Sequence, residues 1–384
     1  MRNLYLAALL SALPSLGCAA NALTITVINE LPLARASETI ELSANDLSAL
    51  GAVDLAKIHI TDASGKELLA QALDTDFDEL RKPDAVIFQA DFTPGETKKF
   101  TASVGAKHVY KLEDVKAHGR FVRERFDDFT WENDRIAHRT YGKALETWRG
   151  EPLTSSTIDI WSKRTSRMVI DEWYMVDDYH ADHGEGADFY SAGASRGCGG
   201  NGVWAADKLW TSSNFVQSRV LANGPIRVLF ELGYDAFDVN GTPVSEVKRI
   251  SLDAGSQFDH FQSSYQPRTT MTLTSGVGLK KVAGEVAEFN AARGWLAQWE
   301  PMEKNAGQQG LAIIASPAQV ERQAEDQRNR LLLVKAPNNT VSYWAGFAWD
   351  KAGRFTNFDA WKTHVDEFAR RLQSPLKISV SVKQ

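Results

Sequence analysis

Short runs in which apolar and polar residues alternate constrain the fold of this chain more than any other feature. Between residues 23 and 104 such runs occur at 23–27, 40–42, 58–60, 86–92 and 99–104, separated by turn residues. Alternation with period two is typical of strands that bury one face. The runs therefore predict a small antiparallel β-sandwich over residues 23–108.

Similar runs continue after a charged connector and predict a second, larger β unit over residues 115–384. They lie at 157–161, 227–232, 247–252, 311–314, 331–334 and 341–344. So many strands with so little helix favour a two-sheet super-sandwich over another small sandwich. The predicted fold class is therefore all-β.

One helix is predicted near the C-terminus, where apolar residues fall at helical spacing. Asn357 can cap its start and Pro375 lies beyond its end. The apolar positions are Phe358, Trp361, Val365, Phe368 and Leu372. We expect a structural cover on the sheet, followed by a return to a sheet over 376–382.

The N-terminus has the pattern of a secretory signal peptide over residues 1–22. A positive start precedes an apolar run over 4–16 and an A-x-A ending at Ala22. The predicted location is periplasmic or secreted, with lipid anchoring through Cys18 as the alternative. In either case Cys198 has no disulfide partner, so the fold must rest on a hydrophobic core.

The charge pattern excludes one class of partner. The net charge is -6 and both signs are interspersed, so the basic face that nucleic-acid binding needs is missing. No apolar run after the first is long enough to form a transmembrane segment. The oligomeric state stays open.

The segment 171–204 collects most of the groups that could do chemistry. It holds His180, His183 and several acids and tyrosines among glycines, without a helical or strand period. Long irregular segments between regular elements are often functional. We interpret it as an active-site loop, with a solvated or calcium-stiffened loop as the alternative.

A second polar cluster lies over 129–142. If 135–141 is a strand, Arg135, Ala137, Arg139 and Tyr141 share one face. Paired guanidinium donors match a carboxylate, so this face suits a carboxylate-bearing ligand. The alternative is that nearby acids hold the arginines in structural salt bridges.

Five motifs carry a resemblance to a known family. They are WENDRIA at 131–137, YHADHGEG at 179–186, SRGCGG at 195–200, LANGPIR at 221–227 and YWAGFAW at 343–349. With them the chain resembles domain-of-unknown-function family 4861. The resemblance implies a bacterial protein that accompanies enzymes degrading uronic-acid polysaccharides such as pectin. It also implies a galactose-mutarotase-like super-sandwich, but no catalytic assignment.

A lyase acting on a uronic-acid polysaccharide or oligosaccharide by β-elimination is the leading hypothesis. Such an enzyme neutralises the carboxylate, abstracts the proton beside it and protonates the leaving oxygen. His183 is the candidate base, with Tyr190 or Tyr141 as the acid. The candidate substrate-binding residues are Asn133, Arg135, Arg139, Arg196, His180, Glu185 and Asn201.

Other chemistry remains open for the same residues. His180, His183 and Asp188 could hold a divalent metal of unknown identity, and the alternative is that the protein has no cofactor. A glycoside hydrolase could draw a carboxylate pair from Glu132, Asp134, Glu185 and Asp188. A non-catalytic carbohydrate-binding protein is the third hypothesis.

Overall fold

The first seven strands form the small sandwich. The computed structural model describes residues 22–76, 82–150, 153–176 and 178–383. Two sheets, ordered β1-β7-β3-β4 and β2-β6-β5, enclose a core that includes Ile25, Ile40 and Phe88. The strands are β1 (Ala22–Ile28), β2 (Arg35–Ser43), β3 (Ile58–Thr61), β4 (Glu67–Leu68), β5 (Ala70–Leu73), β6 (Ala85–Phe92) and β7 (Thr97–Val104).

A five-stranded antiparallel sheet follows, in the order β12-β11-β10-β9-β8. One of its faces contributes Phe129, Trp131 and Ile160 to the largest hydrophobic core. A short helix, α1 (Ile170–Val176), covers part of the opposite face. The strands are β8 (Ala117–Val122), β9 (Asp128–Asn133), β10 (Ala137–Thr140), β11 (Asp159–Lys163) and β12 (Gly186–Ala187).

Two larger sheets enclose the main core. One has eight strands in the order β15-β16-β17-β18-β25-β22-β21-β20, and the other has five in the order β14-β13-β19-β24-β23. Their strands are β13 (Cys198–Ala205), β14 (Lys208–Trp210), β15 (Gln217–Asn223), β16 (Arg227–Val239), β17 (Thr242–Asp253), β18 (Phe258–Pro267), β19 (Leu273–Lys280), β20 (Val286–Asn290), β21 (Trp295–Pro301), β22 (Gln308–Ala315), β23 (Val320–Glu325), β24 (Asn329–Ala336) and β25 (Thr340–Trp349).

The C-terminal helix α2 (Phe358–Gln373) lies on the outer face of the eight-stranded sheet. Its Asn357 cap accepts a hydrogen bond from the Ala360 amide at 2.9 Å. Trp361 and Val365 are buried against β21 and β22. The last strand, β26 (Lys377–Val382), then pairs with β1. Both ends of the described chain therefore meet in the small sandwich.

The predicted all-β class and C-terminal helix are confirmed, but the segment 171–204, predicted to be irregular, contains most of α1, all of β12 and most of β13. The helix α1 shows why. Its buried Ile170 and Tyr174 are four residues apart and face the sheet. The buried Glu132 carboxylate accepts the Val169 and Ile170 amides at 2.7 and 2.9 Å. A partner this distant in sequence stabilises the helix start, so the local pattern does not reveal it.

Two predictions about chain organisation, the domain division and the signal peptide, remain predictions. The division between 23–108 and 115–384 stays a prediction, while the pairing of β26 with β1 joins the C-terminus to the smaller unit. The signal-peptide prediction and Cys18 lie outside the described residues, apart from Ala22 in β1. Within the described ranges, neither helix combines the length and apolar character of a membrane span.

Candidate functional site

Arg139 lies in a closed polar cluster on the outer face of the β8–β12 sheet. The alternation of the strands places it beside Asp128 and Asp159, and the residue directly after β12 is Asp188, the third acid. Arg139 Nε donates to Asp159 at 2.8 Å, and Nη2 donates to Asp188 at 2.7 Å. The side chain of Arg139 is only 5% exposed. The positive charge of Arg139 is therefore balanced by carboxylates inside the protein.

Aromatic rings complete this cluster. The Arg139 guanidinium lies 5.4–5.5 Å from the ring centres of Tyr141, Trp161 and Tyr179. The Tyr141 hydroxyl donates to Asp159 at 2.7 Å, and burial raises the pKa of Tyr141 well above its usual value. Strand alternation does bring Arg139 and Tyr141 to one face, as expected, but that face is covered.

Asp128 is the member of the cluster whose charge depends on pH near neutrality. Burial raises its pKa to about 7, although the nearby Arg139 opposes the shift. The two side chains approach to 3.9 Å. The closed cluster therefore holds one carboxyl group that is partly protonated at neutral pH.

Three other predicted site residues lie inside the protein, away from the closed cluster. Tyr190 belongs to the main hydrophobic core, and burial raises its pKa. Arg196 is buried with Ser155 and Ser156, and burial lowers its pKa to about 10. The third, Asn201, donates to the hydroxyls of Tyr265 and Ser263 and to Glu246 at 2.6–3.1 Å.

Asn133 shapes the turn that presents Arg135. Its side-chain oxygen accepts the amides of Arg135 and Ile136 at 2.8 and 2.9 Å. Its Nδ2 donates to the carbonyls of Asp253 and Ser256, which ties the turn to the end of β17. Arg135 itself is 28% exposed and lies 3.4 Å from Asp134. It is the one predicted arginine that reaches an open surface.

The loop histidines are exposed and separately paired. His180 Nδ1 lies 3.5 Å from the carboxylate of Asp188, whereas His183 Nε2 lies 3.1 Å from Asp178. Glu185 pairs with Arg167 at 3.2 Å. His183 and Glu185 line a small pocket of about 220 Å³. The proposed metal ligands His180, His183 and Asp188 are therefore divided between two separate side-chain contacts.

A larger cavity lies elsewhere among the described residues, between β2, α2 and the outer face of the eight-stranded sheet. We call it the open cleft; its volume is about 730 Å³. A second cavity of about 260 Å³ shares some of its wall residues: Arg135, Gln257, Arg354 and Phe355. The remaining charged and aromatic side chains of the open cleft are Glu38, Glu41, Arg227, Arg249, Asp253, Phe258, His260, Trp344, His364, Glu367, Phe368 and Arg371.

Two imidazoles line the open cleft. His260 stacks on Trp344 with ring centres 4.5 Å apart, and its Nε2 lies 2.8 Å from the Ser342 hydroxyl. His364 on α2 packs against Phe355 and Phe258. Burial lowers the pKa of each histidine to about 4. Both imidazoles are therefore neutral at pH 7.

Most carboxylates of the open cleft are already paired with arginine. Arg227 holds Asp253 with two hydrogen bonds of 2.6 and 2.9 Å and also pairs with Glu41. Glu38 lies 3.6 Å from Arg371. Burial raises the pKa of Asp253, but Arg227 outweighs it and the net shift is downward. Arg227 therefore favours the ionised form of Asp253.

Sequence reasoning missed the open cleft because its residues come from distant elements. His260 is on β18, Trp344 on β25 and His364 on α2. The period of β18 could have shown that His260 points away from Phe261 and the main core. It could not have shown that α2 and β2 leave a space above this face.

Comparisons with known proteins bear on family and fold. The model of the family described as Domain of unknown function (DUF4861) matches residues 27–378. The Uncharacterized protein P7 of Formosa agariphila is 36% identical over 372 residues, which cover 93% of each chain.

Two solved structures from Enterococcus faecalis are also similar. A protein in glycosyl hydrolase family 38 has 10% identity and a TM-score of 0.54, over 95% of this chain and 48% of that one. An alpha-mannosidase has 9% identity and a TM-score of 0.49, over 95% and 46%. The chain thus spans about half the length of either structure, and the first likeness supports the fold. By its match over nearly the whole chain, the protein belongs to the DUF4861 family.

Proposed function

We propose that this protein binds an acidic, uronate-containing oligosaccharide or polysaccharide in the open cleft and cleaves it by β-elimination. One observation carries the proposal: a neutral imidazole, His260, lies in the cleft while three of its four carboxylates are engaged by arginines. The similar structure from glycosyl hydrolase family 38 is consistent with a sugar substrate. Fold alone does not establish one.

Arg135 and Arg354 are the proposed carboxylate ligands. Both line the part of the open cleft that continues into the second cavity. Arg354 is exposed, and within the described residues it forms no ion pair or side-chain hydrogen bond. A guanidinium can donate two parallel hydrogen bonds to a carboxylate. Neutralising that carboxylate makes the neighbouring C–H proton easier to remove.

His260 is the proposed base. Its imidazole takes the proton from the carbon beside the carboxylate, and the electron pair of that C–H bond forms the new carbon–carbon double bond. The glycosidic C–O bond breaks at the same time, and the leaving oxygen takes a proton back from the imidazolium. A group that transfers protons in this way contributes roughly 10²–10⁴ in rate.

A glycoside hydrolase is less well supported by the open cleft. It needs one carboxylic acid that stays protonated beside a carboxylate that acts as base or nucleophile. Asp253 has a lowered pKa and a bidentate arginine partner, which suits neither role. Asp128 has a raised pKa and could be such a protonated acid, but it lies in the closed cluster and not in the open cleft.

The loop around His183 is the rival site for the same chemistry. His183 and Glu185 border a pocket that also contains Trp173 and Tyr179, and this pocket is open where the closed cluster is not. Of the two other proposed catalytic residues, Tyr141 bonds to Asp159 in the closed cluster and Tyr190 is in the core. His183 would therefore act there without either tyrosine unless the loop rearranged.

The test is incubation of the purified protein with pectic, alginate and glycosaminoglycan substrates, with ultraviolet absorbance and product ends as readouts. β-Elimination leaves a double bond conjugated to the carboxylate, which absorbs in the ultraviolet. His260→Ala should lower the rate by about two orders of magnitude. His118→Ala, a substitution at a half-buried histidine of β8, is the matched control and should retain the rate.

Each other outcome contradicts part of the proposal. Products without a double bond would contradict the lyase hypothesis and support the glycoside hydrolase. Sugar binding without any product would leave a carbohydrate-binding protein. If His183→Ala abolishes absorbance while His260→Ala does not, the chemistry belongs to the loop.

A further inference from the structure

Two histidines and a glutamate come together on the surface of the small sandwich, in a part of the protein that the proposed function does not use. His59 lies on β3, Glu67 on β4, and His108 in the connector that follows β7. One ring nitrogen of each histidine and one carboxylate oxygen of Glu67 lie within 4.8 Å of one another. Within the described ranges, no other three such groups come so close.

Strand pairing explains why the first two residues meet. β3 and β4 are antiparallel, and Thr61 is directly opposite Glu67. His59 is two residues before Thr61, so all three side chains leave the same face of the sheet. His59 Nδ1 and Glu67 Oε1 are 2.5 Å apart.

The connector brings the third residue back to β3. The His108 amide donates to the Ala56 carbonyl at 3.3 Å, and the two imidazole ring centres are 4.3 Å apart. Gly105 permits this approach, because a Cβ atom there would lie 2.6 Å from the His59 ring. The backbone at Gly105 therefore lies close to the His59 ring, three residues before His108.

Backbone carbonyls orient both imidazoles. His59 Nε2 lies 2.8 Å from the Ala106 carbonyl, and His108 Nε2 lies 2.7 Å from the Ile58 carbonyl. A carbonyl oxygen only accepts hydrogen bonds, so each Nε2 carries a proton and Nδ1 is the nitrogen left for a metal. On His59 this nitrogen donates to Glu67 in the metal-free protein, and a bound metal ion would replace that proton. Metal-binding histidines are usually held by such a hydrogen bond from the other ring nitrogen.

We propose that His59, Glu67 and His108 form a binding site for a divalent transition-metal ion such as Zn²⁺. Two imidazoles and one carboxylate are a known zinc ligand set, with a fourth position open to water. Metal–ligand bonds of about 2.1 Å place tetrahedral ligands roughly 3.4 Å apart. Glu67 must therefore move slightly away from His59, and its side chain is 56% exposed and able to do so.

A metal bound at this site would hold the connector after β7 against the small sandwich. His108 and Tyr110 already bond to the carbonyls of Ile58 and Ala70, and a metal would add a stronger tie at the same place. Metal that binds only the folded protein stabilises it. Zinc should therefore raise the melting temperature of the intact protein.

The experiment uses the full chain without a histidine tag, stripped with a chelator and titrated with ZnCl₂ by calorimetry and thermal melting. We expect one zinc per chain and a higher melting temperature. His108→Ala and Glu67→Gln should each weaken binding at least about tenfold. Both residues are at the surface, and Gln retains the hydrogen-bonding shape of Glu67, so the variants should remain folded.

The matched control is His118→Ala, which removes a half-buried histidine that pairs with a single carboxylate, Asp171, at 3.4 Å. It should bind zinc like the parent. Absence of zinc binding by the parent would overturn the proposal, as would unchanged affinity in both ligand variants. Loss of binding in a His180→Ala/His183→Ala double variant alone would assign the metal to the loop instead.

Discussion

The closed cluster around Arg139 and the open cleft around His260 contain similar residue types. They differ in whether those side chains are buried and fully paired or can still contact a ligand. In the closed cluster, Arg139 contacts Asp128, Asp159 and Asp188 and is almost fully buried. In the open cleft, Arg354 is exposed and two imidazoles are neutral. The difference shows that clustered charged residues can serve stability, whereas a binding site needs groups that are still free to contact a ligand.

The largest expected effect comes from removing the cation of the closed cluster. Arg139→Ala leaves buried carboxylates without their partner, which should cost about 3–5 kcal/mol of unfolding free energy. Arg354→Ala, a matched change in the open cleft, should cost less than about 0.5 kcal/mol. Denaturant unfolding of both variants measures the difference. Equal, small losses would show that Arg139 is not held as tightly as its contacts indicate.

A smaller effect concerns the imidazoles of the open cleft. The pKa of His364 is about 4 in the folded protein and about 6.5 in the unfolded chain. The unfolded chain therefore takes up the proton first, and stability falls as the pH drops from 6.5 towards 4. His364→Gln should reduce this loss by on the order of 1–3 kcal/mol. Unfolding curves at pH 7 and pH 4.5 test it, and an unchanged slope would contradict it.

The smallest effect has the opposite sign and belongs to the closed cluster. Asp128 has a pKa of about 7 when folded and about 3.9 when unfolded. The unfolded chain releases the proton first, so this group lowers stability as the pH rises from 4 through 7. Between pH 6 and pH 8, Asp128→Asn should gain about 1.4 kcal/mol relative to the parent. No change relative to the parent over this pH range would show that Asp128 is ionised throughout.

The fold was predictable because its causes are local. Alternation in 23–27 and 99–104 matches β1 and β7, and helical spacing from Phe358 matches α2. The pairing of β26 with β1 and the capping of α1 by Glu132 join residues far apart in sequence. A periodic pattern states which face is apolar, but not which element will cover it.

The candidate sites show the same limit. The shared face of Arg139 and Tyr141 follows from strand period, yet only tertiary packing reveals that the loop after α1 closes over it. His260 looks ordinary in the sequence because its neighbours Trp344 and His364 lie on β25 and α2. Residues that come together only in the folded protein form no motif in the sequence. Conversely, the motif with the most candidate catalytic groups, at 179–186, lies in a loop whose two histidines contact different carboxylates.

The most direct test of the open cleft is the affinity of the intact protein for uronate oligosaccharides, measured by titration calorimetry against neutral oligosaccharides of the same length. Charged hydrogen bonds to a carboxylate contribute about 1.5–3 kcal/mol, or roughly tenfold or more in affinity. Arg354→Ala should therefore weaken uronate binding at least about tenfold and leave folding intact, while His183→Ala should bind like the parent. Affinity that survives Arg354→Ala and Arg135→Ala but is lost in His183→Ala would contradict the account and move the site to the loop.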